Sequence, residues 1–157
     1  METSKALNRA AALCSRSEQC ESDLRAKLTR WGVDATDVDT IIARLRRDGF
    51  IDDARYARAF VHDKFLYNQW GPVKLAAILR QKGIAAEATA EALEQFSPQD
   101  YRDTLVKLLR TKWRDVSGRV PRLARAALLR FAAGRGFDAG MAYRAVAEVM
   151  NCDDFDD

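Results

Sequence analysis

The sequence predicts an all-α protein made of three tandem three-helix, helix-turn-helix-like repeats that form an elongated, curved molecule. Three observations predict it. A mark of two apolar residues four apart, then a glycine four further on, occurs three times. An amphipathic stripe follows each mark. No segment sustains the two-residue alternation of a half-buried strand.

The marks are Leu24-x-x-x-Leu28-x-x-x-Gly32-Val33, Leu75-x-x-x-Leu79-x-x-x-Gly83-Ile84 and Leu128-x-x-x-Ala132-x-x-x-Gly136-Phe137. Their glycines are 51 and then 53 residues apart, a period that signals a repeat architecture. Residues four apart share one helical face. A glycine after the last turn supplies the left-handed residue of a Schellman cap, and the apolar residue after it touches the side chain five positions earlier. The expected pairs are Val33 with Leu28, Ile84 with Leu79 and Phe137 with Ala132.

Beyond each glycine, at six, nine, ten and thirteen residues, lie Val38, Ile41, Ile42 and Leu45, then Thr89, Ala92, Leu93 and Phe96, then Ala142, Ala145, Val146 and Val149. Each set is the stripe of an amphipathic helix, with Thr89 the polar exception. Asp34 and Asp138 are expected N-caps, whereas Ala85 cannot cap. A further helix precedes each pair, over about Lys5–Cys14, Asp53–Tyr67 and Tyr101–Trp113. Asp52 takes the N-cap of the second, after the stop Asp48-Gly49-Phe50. Pro72 and Pro121 suit early helical turns. The repeats are bounded at 5–50, 51–97 and 98–150, with an acidic tail at 151–157. Units of this size are marginal alone and should share apolar surface. Trp31, Trp70 and Trp113, near helix ends, are expected to fill gaps in that packing.

Chemistry is scarce. Of the 157 residues only His62 is a histidine, and Cys14, Cys20 and Cys152 fit no zinc spacing. There is no Walker loop, and Gly134-Arg135-Gly136 is too short for a dinucleotide fingerprint. The pairs Asp52-Asp53 and Asp153-Asp154 read as a cap and a tail, not as metal sites. No catalytic residue, metal or cofactor is expected. With no apolar run long enough to span a bilayer and no signal peptide, the expected compartment is the cytoplasm.

The net charge of +3 hides an uneven distribution. Residues 1–100 balance 15 basic against 15 acidic groups; 101–150 hold 11 against 4; the tail holds four Asp. From Lys107 to Arg135 the basic residues are Lys107, Arg110, Lys112, Arg114, Arg119, Arg122, Arg125, Arg130 and Arg135, against one acid, Asp115. The first eight are the candidate contact residues for an acidic partner, since the arginine fork suits phosphate and carboxylate. Val116-Ser117-Gly118-Arg119 reads as a loop among them. No cluster of base-reading side chains marks a recognition helix, which favours backbone-level contact.

Several stretches resemble the RecX family. They are Ser15–Leu28, Gly49–Phe60, Trp70-Gly71-Pro72-Val73-Lys74-Leu75, Leu79–Ile84 and Arg135-Gly136-Phe137, in the family's order from about Ala6 to Met150. Ile78 departs from the usual Glu before the leucine, and Gln19 and Cys20 replace the frequent His/Arg-Ser pair. The resemblance implies a monomeric protein that binds the RecA–single-stranded DNA filament. It implies inhibition of filament ATPase, strand exchange and coprotease activities, with direct DNA binding in some members; single-stranded and double-stranded DNA are the further expected partners. The alternatives are a stand-alone nucleic-acid-binding protein and a helical adaptor with a purely protein partner.

Overall fold

The structure is a computed structural model that describes residues 1–154, with side chains through Asn151. Among these residues it is all helix and loop. The helices are α1 Thr3–Arg16, α2 Glu21–Arg30, α3 Ala35–Arg47, α4 Asp53–Asn68, α5 Pro72–Gln81, α6 Ala86–Leu93, α7 Pro98–Val116, α8 Pro121–Gly134 and α9 Ala139–Asp154. The segment expected as an acidic tail therefore begins inside α9, and 155–157 lie outside the described residues.

All three expected glycine stops are Schellman caps. Val33 N–H donates to the Leu28 carbonyl at 3.1 Å, Ile84 to Leu79 at 3.0 Å and Phe137 to Ala132 at 3.2 Å. The glycine N–H groups reach back to Thr29, Arg80 and Ala133, each at 3.0 Å. The stop at Gly49 is built the same way, with Phe50 donating to Leu45 at 2.8 Å. Gly83 sits at φ +80°, where an L side chain is strained.

N-caps agree less uniformly. Asp52 Oδ1 accepts from Arg55 N–H at 3.0 Å, and this bond holds the Asp52 carboxyl below its usual range. Asp138 Oδ1 accepts from Met141 N–H at 2.9 Å. Asp34 occupies the N-cap of α3 with extended backbone, but its side chain makes no cap bond. The first turn of α7 was not foreseen: Ser97 and Asp100 form a reciprocal capping box, with Pro98 at the start, so the helix begins three residues before Tyr101. At its other end, Val116 is the last helical residue and is fully buried, so the expected loop starts at Ser117.

The chain divides into two compact units. Among the described residues, one comprises 1–61 and 78–92, the other 62–77 and 93–154. In the first, α1, α2 and α3 pack on one another around Ala6, Ala10, Leu24, Leu28, Ile41, Ile42 and Leu45. Trp31 packs partly buried against this core, beneath the Arg9 guanidinium at 4.1 Å. Ion pairs tie the surface. Glu21 accepts from Arg25 at 3.1 Å and from Arg46 at 2.8 Å, Glu18 accepts from Arg55 at 2.5 Å, and Lys82 reaches Asp23 at 3.0 Å.

In the second unit α7, α8 and α9 pack on one another around Leu105, Leu109, Leu128, Ala145 and Val146. The stripe expected to run to Phe96 is interrupted, because α6 ends at Leu93. Phe96 instead joins Phe65 and Tyr101, with ring centroids 4.6 Å and 6.1 Å away. Tyr101 donates its hydroxyl hydrogen to the Leu93 carbonyl at 2.7 Å, satisfying an acceptor that a helix end leaves open. Burial pushes this phenol up to about 12, so it stays a neutral donor at physiological pH.

The start of α5 docks on the end of α8 by backbone alone. Gly71 N–H donates to the Arg135 carbonyl at 2.7 Å and Val73 N–H to the Gly136 carbonyl at 2.9 Å. Donors at the start of one helix thus meet acceptors at the end of another, so the positive end of α5 faces the negative end of α8. The approach requires glycine on both sides. A Cβ on Gly71 would lie 2.4 Å from the Gly136 oxygen, and one on Gly136 would lie 2.2 Å from the Lys74 Cβ.

Two measurements test this account. Gly83→Ala meets no neighbour and should cost only the left-handed strain, about 1–2 kcal/mol. Gly71→Ala and Gly136→Ala add backbone clashes and should unfold at clearly lower urea; equal midpoints for all three would contradict the docking. The second concerns pH. The Arg46 hydrogen bond holds the Glu21 carboxyl below its usual 4.5. A lowered folded-state pKa contributes stability above 4.5 that is lost as pH falls through the folded value. The melting-temperature gap between wild type and Glu21→Gln should therefore be widest near neutrality and narrow below pH 4.5.

Candidate functional site

The eight candidate residues fall on two helices and the turn between them. Lys107, Arg110 and Arg114 follow one another at helical spacing on the exposed side of α7; on α8 Arg122 and Arg125 are three apart, and Arg130, five further on, is exposed as well. Arg119 is exposed in the connecting turn. Among the described residues, Arg114, Arg119, Arg122, Arg125 and Arg130 are exposed and form no ion pair. Arg110 differs: its guanidinium lies 3.9 Å from Glu148, which also holds Arg102.

Lys107 and Lys112 line a common groove on this unit, of about 600 Å³. Its walls are α4, through Phe65 and Leu66 with Gln69 just past its end, and α7, through Thr104, Leu108, Thr111 and Asp115, with Phe131 of α8 completing it. The Lys112 ammonium lies 5.7 Å from the centre of the Phe131 ring, an attractive cation–π placement. Arg130 lines a smaller hollow of about 290 Å³ with Leu129, Phe137 and Tyr143.

Arg135, the ninth basic residue of the stretch, is structural. Its guanidinium donates to the Asn68 carbonyl and to Gln69 Oε1 at 3.4 Å, and its Nε is buried. Gln69 there adopts φ +52°, a left-handed residue that ends α4. A charge count cannot separate such an arginine from a free one. The aromatic and apolar walls from α4 were not foreseen either, because they lie some forty residues from the basic stretch. His62 is exposed and pairs with Asp63 at 3.0 Å, as a surface residue. No cluster of three or more metal-ligating side chains occurs among the described residues.

Two family models match the chain: "RecX, first three-helix domain" over residues 6–45 and "RecX, second three-helix domain" over residues 52–93. Together they cover more than half of it. The chain belongs to the RecX family. The regulatory protein RecX of Chromohalobacter salexigens is 34% identical over 95% of this chain and 97% of its own. That of Thermus thermophilus is 34% identical over 90% of each. A crystal structure of regulatory protein RecX superposes with a TM-score of 0.83 at 27% identity, covering 93% of this chain and 71% of that one. These are regulatory proteins by name, and the helical fold is shared with them.

Membership puts physical content into the motifs. Glu18 and Glu21 of the first stretch anchor Arg55 and Arg46, and Gly71 of the Trp70-Gly71-Pro72 stretch is required by the approach to Gly136. The division between structural and free arginines is testable by urea unfolding. Arg135→Ala removes charge-assisted bonds to the Asn68 carbonyl and to Gln69 Oε1 and should cost about 1.5 kcal/mol. Arg125→Ala, exposed and unpaired, should stay within about 0.5 kcal/mol of wild type. Equal losses would mean that Arg135 is as free as its neighbours.

Proposed function

We propose that this chain is a non-catalytic regulator that binds the RecA–single-stranded DNA filament and inhibits its ATPase, strand exchange and coprotease activities. The observation that carries the reading is membership of the RecX family, with relatives matched along nearly their whole length. The surface is compatible with it. A set of exposed arginines faces solvent on α8 and its preceding turn, where DNA phosphate or acidic filament side chains would meet planar forks. Residues 5–50, 51–97 and 98–150 act as three helical repeats in this reading, and Lys107, Arg110, Lys112, Arg114, Arg119, Arg122, Arg125 and Arg130 supply the contacts. The protein works as a monomer in the cytoplasm, without cofactor. No described helix is long and apolar enough to cross a membrane.

A second reading, a stand-alone nucleic-acid-binding protein, is favoured by one feature. The cap at Gly136 turns α8 directly into α9, whose early exposed residues include Tyr143 and Arg144, a helix-turn-helix-like presentation. Titration into a RecA ATPase assay on single-stranded DNA separates the two. The regulator should slow hydrolysis at or below stoichiometric amounts and bind the filament far better than naked DNA. The triple variant Arg119→Ala, Arg122→Ala, Arg130→Ala should remain folded and inhibit about tenfold less well, with a shallower salt dependence. An untouched ATPase with folded protein would sink the regulatory reading.

A further inference from the structure

The groove between α4 and α7 has a chemistry of its own. Its apolar lining comes from Phe65, Leu66, Leu108 and Phe131, and Leu66 is left 45% exposed. Two ammonium groups, Lys107 and Lys112, stand along it against a single carboxylate, Asp115. About 600 Å³ is within the range of binding clefts, and more than one side chain needs. We propose that this groove docks a short acidic peptide segment carrying a bulky apolar side chain. The apolar group enters between Leu66 and Leu108, and flanking carboxylates meet the two lysines.

The aromatic rings argue against a nucleic-acid base as the occupant. Base recognition on such a surface needs an open ring face. Phe65 is almost fully buried and engaged by Phe96 at 4.6 Å and Tyr101 at 4.8 Å. The Phe131 ring carries Lys112. Asp115 would repel a backbone phosphate, whereas a peptide can place its carboxylates away from it. Lys107 also stands one turn from the exposed Arg110, itself 3.9 Å from Glu148, and on the same face as the exposed Arg114, so the surrounding field attracts negative charge from a distance.

The chain's own last five residues, Asp153-Asp154-Phe155-Asp156-Asp157, have the required composition and provide the probe sequence. A fluorescein-labelled Asp-Asp-Phe-Asp-Asp peptide is titrated with the full-length protein and followed by anisotropy. Saturable binding is expected, weakened about tenfold by Lys107→Glu and by Leu66→Asn, both exposed positions. Replacing the probe's Phe by Ala, or its four Asp by Asn, should abolish it. Absent binding by wild type, or equal affinity in both folded variants, overturns the proposal. So does a labelled oligothymidylate that displaces the peptide and is itself lost in the same variants, since the groove would then be a nucleic-acid site. No recombinase is present, so the result is independent of the filament reading.

Discussion

The fold depends on how short helices end. α2, α5 and α6 have 10, 10 and 8 residues, lengths at which an isolated helix is marginal in water. Each end also leaves backbone groups without partners. Left-handed glycines at 32, 49, 83 and 136 close four helix ends by the same hydrogen-bond pair, and in doing so turn the next apolar residue back onto the core. The seam between Gly71 and Gly136 goes further, since the acceptors at the end of α8 become the partners of the donors that open α5. Helix stops and helix packing are here one device. A side chain at either glycine would separate both.

Much of this was legible because it is local. A cap is written within nine residues, and the buried stripes at Val38, Ile41, Ile42 and Leu45 and at Ala142, Ala145, Val146 and Val149 follow from helical spacing alone. The failures have distinct physical reasons. Phe96 continues the stripe of α6 in phase, but packing against Phe65 and Tyr101 outweighs helical continuity. Asp34 has a capping side chain that makes no cap bond, and residue type does not reveal this. The start of α7 was local and still missed, because its box is closed by Asp100 rather than a glutamate and apolar spacing begins only at Tyr101. The candidate groove is illegible for a different reason: it is assembled from α4 and α7, and neither helix alone signals it.

The charge asymmetry in the sequence survives folding, and the structure explains its form. In residues 1–100 many acids are spent on arginines and lysines close by: Glu18, Glu21, Asp23, Asp39, Asp48 and Asp53 all sit in ion pairs. Exposed pairs of this kind contribute about 0–1 kcal/mol each, so their effect lies in fixing side-chain geometry and cancelling field rather than in stability. On α8 and the turn before it the arginines have no such partner among the described residues. Arg135 reduces the usable set by one, and Glu148 partly occupies Arg110. The charge left to solvent is therefore smaller than the count in the sequence, and it is spread over α7, α8 and the turn between them.

A regulator that acts by binding must bind one state of its partner better than another, and it shifts that partner by no more than the difference in affinity. The two surfaces of the second unit would contribute to such a difference unequally. Solvent-facing arginines attract over about a Debye length, roughly 8 Å at physiological salt, and much of that attraction is common to any polyanion. An apolar groove acts only on contact and discriminates by shape. If both engage a filament, salt should weaken capture more than it weakens discrimination between filament states. Loss of both together as salt rises would mean that charge alone carries the interaction and that the groove lies outside the contact.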